Sequence, residues 1–284
     1  AAEFFDFTVR RRPEETVHHL LTWGLGLLAD EQYRLAADVF RRGIRSEGKD
    51  EERAAFFFYL AAALEMDGRT DDAIAAARNG AKLRRDDPRF LGRVAWVLYH
   101  AKRYAEAADA YRKLIEEFDA VHDSGEVREV LREARFVLSN LAVTGGEFPE
   151  GEEWLEQVLD EFPGDVGAMN DLGYLWADRN KNLHRAYRMI REAADKEPEN
   201  AAYRDSLGWV LYRMGRFDEA VVELEKAVGL DPDPVILDHL GDAYCGLKKI
   251  EKAEDNWRKD AEGFQEREDA ENASRAEQKI RDVS

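Results

Sequence analysis

Cysteine and proline are both scarce in this sequence. The single cysteine, Cys245, cannot form a disulfide within the chain, so the fold does not depend on oxidation. Only 7 of the 284 residues are proline, and most of them fall between apolar blocks rather than inside them. Because proline interrupts helices, this distribution favours long unbroken helices.

Long apolar runs and positive charge are also lacking. No apolar stretch approaches the roughly 20 residues that a membrane-spanning helix needs, so no membrane span is predicted. The 42 Lys and Arg residues are outnumbered by 60 Asp and Glu, which gives a formal net charge of -18. An acidic surface repels phosphate, and nucleic acid is therefore a poor partner for this chain.

Sequence patterns for catalysis and metal binding are absent as well. His18 and His19 are not part of an HExxH motif, and adjacent residues on a helix point about 100° apart. The acidic stretch 231–242 resembles a calcium loop, but it has Ile236 where glycine is needed and ends in Asp242 rather than Glu. We therefore predict no catalytic residue, no cofactor and no metal site, and we interpret 231–242 as a helix start with acidic capping.

The sequence does contain a repeat, which is clearest at residues 201–234. Its glycine, Gly208, has counterparts at Gly173 and Gly241 in the two neighbouring units. Small residues at one position of the second helix form the most regular series, which consists of Ala36, Ala73, Ala107, Gly151, Ala186, Ala220 and Ala253. Counting backwards gives seven units, near 17–50, 54–87, 88–121, 132–165, 166–200, 201–233 and 234–267.

Each unit is predicted to be two antiparallel helices joined by a short turn. The small residue at the eighth position, such as Gly208, is expected to face the small residue at the twentieth, such as Ala220, so that the backbones approach closely. Stacked pairs then bury the apolar faces that one pair leaves open. Residues 1–16 precede this array, and the charged residues 268–284 form a tail or cap.

Two units depart from the regular spacing. About ten extra residues separate Ala107 from Gly151, and Asp123 with Glu126 could form a capping box there. We expect a lengthened first helix in the fourth unit rather than a loop. The unit at 166–200 has one extra residue, which is expected in its internal turn.

The repeat spacing resembles that of the tetratricopeptide-repeat (TPR) family over residues 17–267. The resemblance implies an all-α fold, a superhelical solenoid of about seven helix–turn–helix repeats with a charged C-terminal cap helix. The last three units resemble the C-terminal part of long bacterial TPR proteins, which implies a bacterial source and favours the cell envelope or periplasm over the cytoplasm. The Lys/Asn/Asn/Lys/Arg clamp of chaperone-binding members is not matched in this sequence.

In a TPR array the first helices line a concave groove. Trp, Tyr and Arg dominate binding energies at interfaces, so such residues at groove positions are candidates for contact with a partner. The candidate partner-binding residues are Tyr59, Arg93, Trp96, Tyr99, Asn140, Asn170, Tyr174, Trp209, Tyr212 and Arg213. Packing against the neighbouring repeat is the alternative, and it stays open for Trp96 and Trp209.

We therefore expect a non-catalytic scaffold that binds a protein, through a peptide or a partner helix, in a concave groove containing aromatic and arginine residues. The alternative is a self-assembling structural protein that forms homo-oligomers through the ends of its solenoid.

A first test concerns the helix that opens the first unit, which is apolar nearly all round. Such a helix is normally covered on more than one side. The cover could be the Phe4–Phe7 segment, further repeats or a second copy of the chain. Deleting residues 1–12 is expected to raise aggregation or change the oligomeric state, as measured by light scattering after size-exclusion chromatography. A truncated chain that stays monomeric and equally stable would contradict this expectation.

Overall fold

The computed structural model describes residues 16–46, 48–120 and 124–283, and every regular element in these ranges is an α-helix. The all-α class predicted from the sequence is thereby confirmed. The described helices are α1 (Thr16–Ala29), α2 (Tyr33–Arg45), α3 (Asp50–Met66), α4 (Thr70–Leu83), α5 (Pro88–His100), α6 (Tyr104–Phe118), α7 (Gly125–Thr144), α8 (Phe148–Glu161), α9 (Val166–Asp178), α10 (Leu183–Lys196), α11 (Ala201–Arg213), α12 (Phe217–Leu230), α13 (Pro234–Gly246), α14 (Ile250–Glu266) and α15 (Ala270–Val283).

The helices form two compact units. Unit 1 comprises residues 1–147 with α1–α7, and unit 2 comprises residues 148–284 with α8–α15. Within each unit every helix packs on the one before it and the one after it. In addition α1, α3, α5 and α7 lie side by side in unit 1, as do α9, α11 and α13 in unit 2. We call these two surfaces the inner face of unit 1 and the inner face of unit 2.

A left-handed residue ends the first helix of each hairpin. After α11 this residue is Gly215, with φ of +75°, and the N–H of Arg216 then donates to the carbonyl of Leu211 (2.9 Å). This is the Schellman arrangement, in which glycine is favoured because it has no Cβ. The same bond recurs after α1, α3, α5, α7, α9, α13 and α14. After α9 both Asn180 and Asn182 are left-handed, which places the extra residue in the turn where the sequence predicted it.

The two helices of a hairpin cross closely where the first helix lacks a side chain. A Cβ added to Gly208 would lie 2.4 Å from Cγ of Leu224. Ala220, which the sequence predicted to face Gly208, is fully buried, and the space of the missing Cβ of Gly208 is filled by the side chain of Leu224, one turn later. Helical side chains lean toward the N-terminus of their helix, so Leu224 reaches back over the crossing.

Two predictions about individual helices, the lengthening of α7 and the acidic cap of α13, can be compared with the structure. At 20 residues α7 is the longest of the described helices, which confirms the predicted lengthening. Its cap is Ser124, whose hydroxyl accepts the N–H of Val127 (3.3 Å), whereas Asp123, the expected cap, lies outside the described residues. At the start of α13 the Asp233 carboxylate accepts the N–H of Val235 (2.9 Å), as acidic capping of this helix requires.

The first helix, α1, packs on α2 and α3, and most of its large apolar side chains are at least partly buried among the described residues. Leu20 and Gly24 are buried, but Leu25 is 40% exposed. The Phe4–Phe7 segment, which is one candidate for a cover, lies outside the described residues.

Ala220→Leu tests the packing at the helix crossing. The residue is fully buried, so three added heavy atoms must displace their neighbours, at a cost of roughly 1–3 kcal/mol in the free energy of unfolding. Val222→Leu is the matched control on the same helix, since Val222 is 50% exposed and the change should stay within about 0.5 kcal/mol. Urea unfolding of both variants measures the difference, and equal midpoints would contradict the close crossing.

Candidate functional site

Arg93 lies on the inner face of unit 1 with its guanidinium between aromatic rings. The guanidinium carbon is 3.8 Å from the centre of the Phe58 ring on α3 and 4.7 Å from that of Trp96 on α5. Burial lowers the pKa of Arg93 to about 10, so the group still carries its charge at neutral pH. We call Phe58, Arg93 and Trp96 the Arg93 cluster.

No carboxylate in the described part of the chain forms an ion pair with Arg93, and its buried Nε has no hydrogen-bond partner there. The neighbouring Arg89 differs, because its Nε and Nη2 donate to the carboxylate of Asp87 (2.9 and 2.6 Å). Partial burial of a charge is unfavourable unless an acceptor compensates it. Cation–π contacts with two rings offset part of this cost, and the N–H groups retain capacity for an external acceptor.

Other aromatic residues of unit 1 adjoin the Arg93 cluster. The ring of Trp96 lies 4.0 Å from that of the exposed His100, and the ring of Tyr99 lies 5.7 Å from that of Tyr104. Tyr59 stacks on Phe40 with ring centres 5.8 Å apart. Of the predicted residues of α3 and α5, the structure brings Arg93 and Trp96 together. Tyr59 and Tyr99 contact rings of the second helices α2 and α6, and the predicted Asn140 is an exposed residue of α7.

The inner face of unit 2 contains a stack of three rings. Trp209 is sandwiched between Tyr212, at 5.0 Å and 17°, and His239, at 4.2 Å and 20°. Nδ1 of His239 lies 2.8 Å from Oδ1 of Asp205. Trp209 is only 8% exposed. Its ring packs on Tyr212 of its own helix and on His239 of the next repeat, and its buried Nε1 has no hydrogen-bond partner in the described residues.

The other predicted residues of unit 2 are also engaged within the protein. Asn170 is 6% exposed, and its Nδ2 donates to Asp171 (3.1 Å). Nη1 of Arg213 donates to the carbonyl of Asp178 (2.6 Å), and its guanidinium lies 5.4 Å from the Trp209 ring. Tyr174 is half-buried, and burial raises the pKa of its hydroxyl.

Charged side chains of unit 2 form a cluster of ion pairs that the candidate residues did not include. Burial opposes the protonation of His239, but Asp205, Asp238 and Asp242 outweigh it and raise the pKa of His239. Lys279 on α15 donates to both Asp238 and Asp242 of α13 (2.6 Å each). The cations of this cluster are therefore supplied by the chain itself.

One sequence signal could have found part of this cluster. Asp205 and His239 are 34 positions apart, and Asp178 and Arg213 are 35 apart, so each pair is separated by one repeat. Residues at equivalent positions of consecutive repeats, or one position further on, meet on the inner face. Lys279 had no comparable signal, because the tail around it has no repeat of its own.

The described residues offer no support for metal chemistry or a membrane span. No three or more of their His, Cys, Asp and Glu side chains are placed to hold a metal ion together. None of the described helices has the length and apolar character needed to cross a bilayer.

Consecutive antiparallel hairpins, each with a Schellman turn after its first helix, define a helical-repeat protein. Sequence models of the tetratricopeptide repeat match residues 21–88, 67–121 and 201–234. The chain is a tetratricopeptide-repeat protein, as its sequence predicted. Proteins of this family are generally non-catalytic scaffolds for protein–protein interaction.

A curated relative is TPR repeat-containing protein PA4667 of Pseudomonas aeruginosa. It is 33% identical over 107 residues, which make up 38% of this chain and 18% of that protein. The chain thus matches less than a fifth of the length of this relative.

Several solved structures share the fold. A tetratricopeptide repeat protein from Parabacteroides merdae superposes with a TM-score of 0.63 at 13% identity, covering 95% of this chain and 99% of its own. The pilF protein of Pseudomonas aeruginosa gives 0.60 at 16% identity, covering 77% and 93%. YrrB, described as a TPR protein with an unusual peptide-binding site, gives 0.51 at 17% identity, covering 70% and 96%. At these identities the likeness concerns the fold alone.

Asp260→Asn tests the electrostatics of the unit 2 cluster. Asp260 is 1% exposed, and burial together with the charges of Asp238 and Asp242 raises its pKa to about 7, against the effects of Lys279 and His239. A carboxyl whose pKa is raised on folding destabilises the fold as pH rises from about 4 to about 7. The uncharged Asn variant should therefore be more stable than wild type at pH 8, by roughly 2–4 kcal/mol, and similar to it at pH 4.

Urea unfolding at pH 4, 6 and 8 measures this difference. Glu262→Gln removes a carboxylate from an exposed position of the same helix and should leave the pH dependence unchanged. If Asp260→Asn and wild type lose stability in parallel as pH rises, Asp260 does not carry the raised pKa.

Proposed function

We propose that this chain is a non-catalytic scaffold that binds a peptide or a partner helix on the inner face of unit 1, at the Arg93 cluster. The observation that carries the proposal is the guanidinium of Arg93, which is held between two rings and has no carboxylate partner among the described residues. Nothing in the hairpin fold requires an arginine there. Its charge is compensated when a partner supplies an acceptor.

The chemistry of the cluster specifies what such a partner presents. A guanidinium donates two parallel N–H bonds to a carboxylate, or single bonds to backbone carbonyl groups. Trp96 offers a partly exposed ring beside it, against which an apolar side chain can pack. The rings are already ordered by contacts with His100 and Phe58, so binding loses little side-chain entropy. The partner is therefore a segment that carries an acceptor next to an apolar residue.

Two further observations support this assignment. The structurally similar YrrB is described as having a peptide-binding site. The inner face of unit 2 is less suited to the role, because Trp209 and Asn170 are buried and Arg213 is engaged with Asp178. We therefore leave Trp209 and Asn170 out of the proposed site and retain Tyr59, Arg93, Trp96 and Tyr99.

Arg93→Gln separates binding from folding. The change removes the donor that faces the partner, and retention of the partner should fall about tenfold or more. It also removes a partly buried charge, so the free energy of unfolding should stay within about 1 kcal/mol of wild type. The measurement is quantitative mass spectrometry of the proteins that the immobilised chain retains from an extract of the source organism, paired with thermal unfolding.

The matched control is Arg188→Gln, an exposed arginine of α10 in unit 2, which should retain the same proteins as wild type. Equal retention by Arg93→Gln and wild type would remove the basis of the proposed site. Self-assembly through the ends of the array is the competing function. It would appear in light scattering as a mass that grows with protein concentration while no other protein is retained.

A further inference from the structure

Unit 1 has a second surface, separate from its inner face, in the groove between α4 and α6. The groove has a volume of about 630 Å³, and its floor is formed by Leu91 and Val94 of α5, with Ala81 and Ala110 on either side. We call it the α4–α6 groove. Both floor residues are partly exposed, so apolar surface is open to solvent there.

The α4 wall of the groove carries three positive charges. Arg78, Lys82 and Arg85 are exposed, and none of them has an ion pair or hydrogen bond to another side chain in the described part of the chain. Arg78 and Lys82 are one helical turn apart, and Arg85 follows just after the helix ends at Leu83. The three cations thus form one continuous edge, in a chain whose net charge is -18.

The α6 wall offsets this edge only in part. The hydrogen bond to Arg103, and the charges of Arg103 and Arg78, lower the pKa of Glu106, and Lys113 and Glu117 also line the groove. Glu106 accepts two hydrogen bonds from Arg103 (2.7 and 2.6 Å), and Asp109 accepts one from Arg112 (3.2 Å). Glu106 and Asp109 are paired within their own helix region, whereas Glu117 has no ion pair in the described part of the chain. The groove therefore combines an apolar floor with one edge whose basic side chains form no ion pair in the described part of the chain.

We propose that the α4–α6 groove docks an amphipathic helix of another protein. Its apolar stripe lies on Leu91 and Val94, and its carboxylates face the α4 edge. A helix is the form of chain that presents an apolar stripe and a charged edge side by side at this spacing. Nucleic acid fits less well, because the floor is apolar and the opposite wall carries carboxylates. This inference does not depend on the function proposed for the Arg93 cluster.

The experiment uses the full chain and a synthetic probe. The probe is a fluorescent helical peptide with leucines along one stripe and glutamates along one flank, and its control has glutamine in place of every glutamate. Anisotropy titrations should show saturable binding of the glutamate peptide that weakens with salt, as exposed ion pairs do. Binding of the glutamine peptide should be about tenfold weaker.

Two variants locate the site. Combined Arg78→Glu, Lys82→Glu and Arg85→Glu reversal should weaken binding of the glutamate peptide by about tenfold or more. The same change of net charge at Arg188, Lys248 and Arg258, which are exposed in unit 2, should leave it within about twofold. Ala110→Trp places a large ring in the groove and should weaken both peptides. Circular dichroism verifies that each variant remains folded.

Four outcomes would overturn the proposal. The first is the absence of saturable binding of the glutamate peptide at low salt. The second and third are equal affinity of the α4 and unit 2 charge-reversal variants for this peptide, and unchanged affinity of the Ala110→Trp variant. The fourth is stronger binding of a duplex oligonucleotide than of the peptide. Self-association of the chain that the α4 reversal abolishes would assign the groove to a second copy and equally reject a foreign helix.

Discussion

Two antiparallel helices approach closely only where one of them leaves room for a large side chain of the other, and this constraint organises the hairpins of the chain. At Gly24, Gly173, Gly208 and Gly241 the room of the missing Cβ is taken by Phe40, Ile190, Leu224 and Trp257. The crossing orients the first helix, so that one side of it faces its partner helix and another side is left for the inner face. The exposure of Arg93 and Trp96 follows from that orientation, and the left-handed turn after each first helix keeps the two helices in register.

The sequence predicted the fold well because the repeat is encoded in residues that serve the backbone. Gly215 has a positive φ and Asn182 lengthens its turn, and both positions were visible as spacing. The spacing predicted the small residue at Gly208, and the side chain of Leu224 fills the space that this residue leaves. The candidate site was predicted less well. Periodicity identifies which residues face inward but not whether a ring such as Trp209 is then covered by the next repeat.

The two inner faces carry opposite electrostatic arrangements on similar helices. In unit 2 the carboxylates of Asp205, Asp238 and Asp242 are each paired with His239 or Lys279, which belong to the same chain. In unit 1 the charge of Arg93 has aromatic neighbours but no such pairing among the described residues. Ion pairs within the chain hold neighbouring repeats together. A charge without an internal acceptor gains binding energy when another molecule supplies one.

Inner-face contacts of unit 2 that join consecutive hairpins span little more than one repeat, as the pairs Asp178–Arg213 and Asp205–His239 show. Ordering such a chain never requires the closure of a long loop, so the entropic barrier to folding is low. During synthesis on a ribosome, a hairpin of this unit has its contact partners as soon as the next one emerges. Unit 2 can therefore acquire its structure from the N-terminal side while its remainder is still being made, with little apolar surface open to other chains.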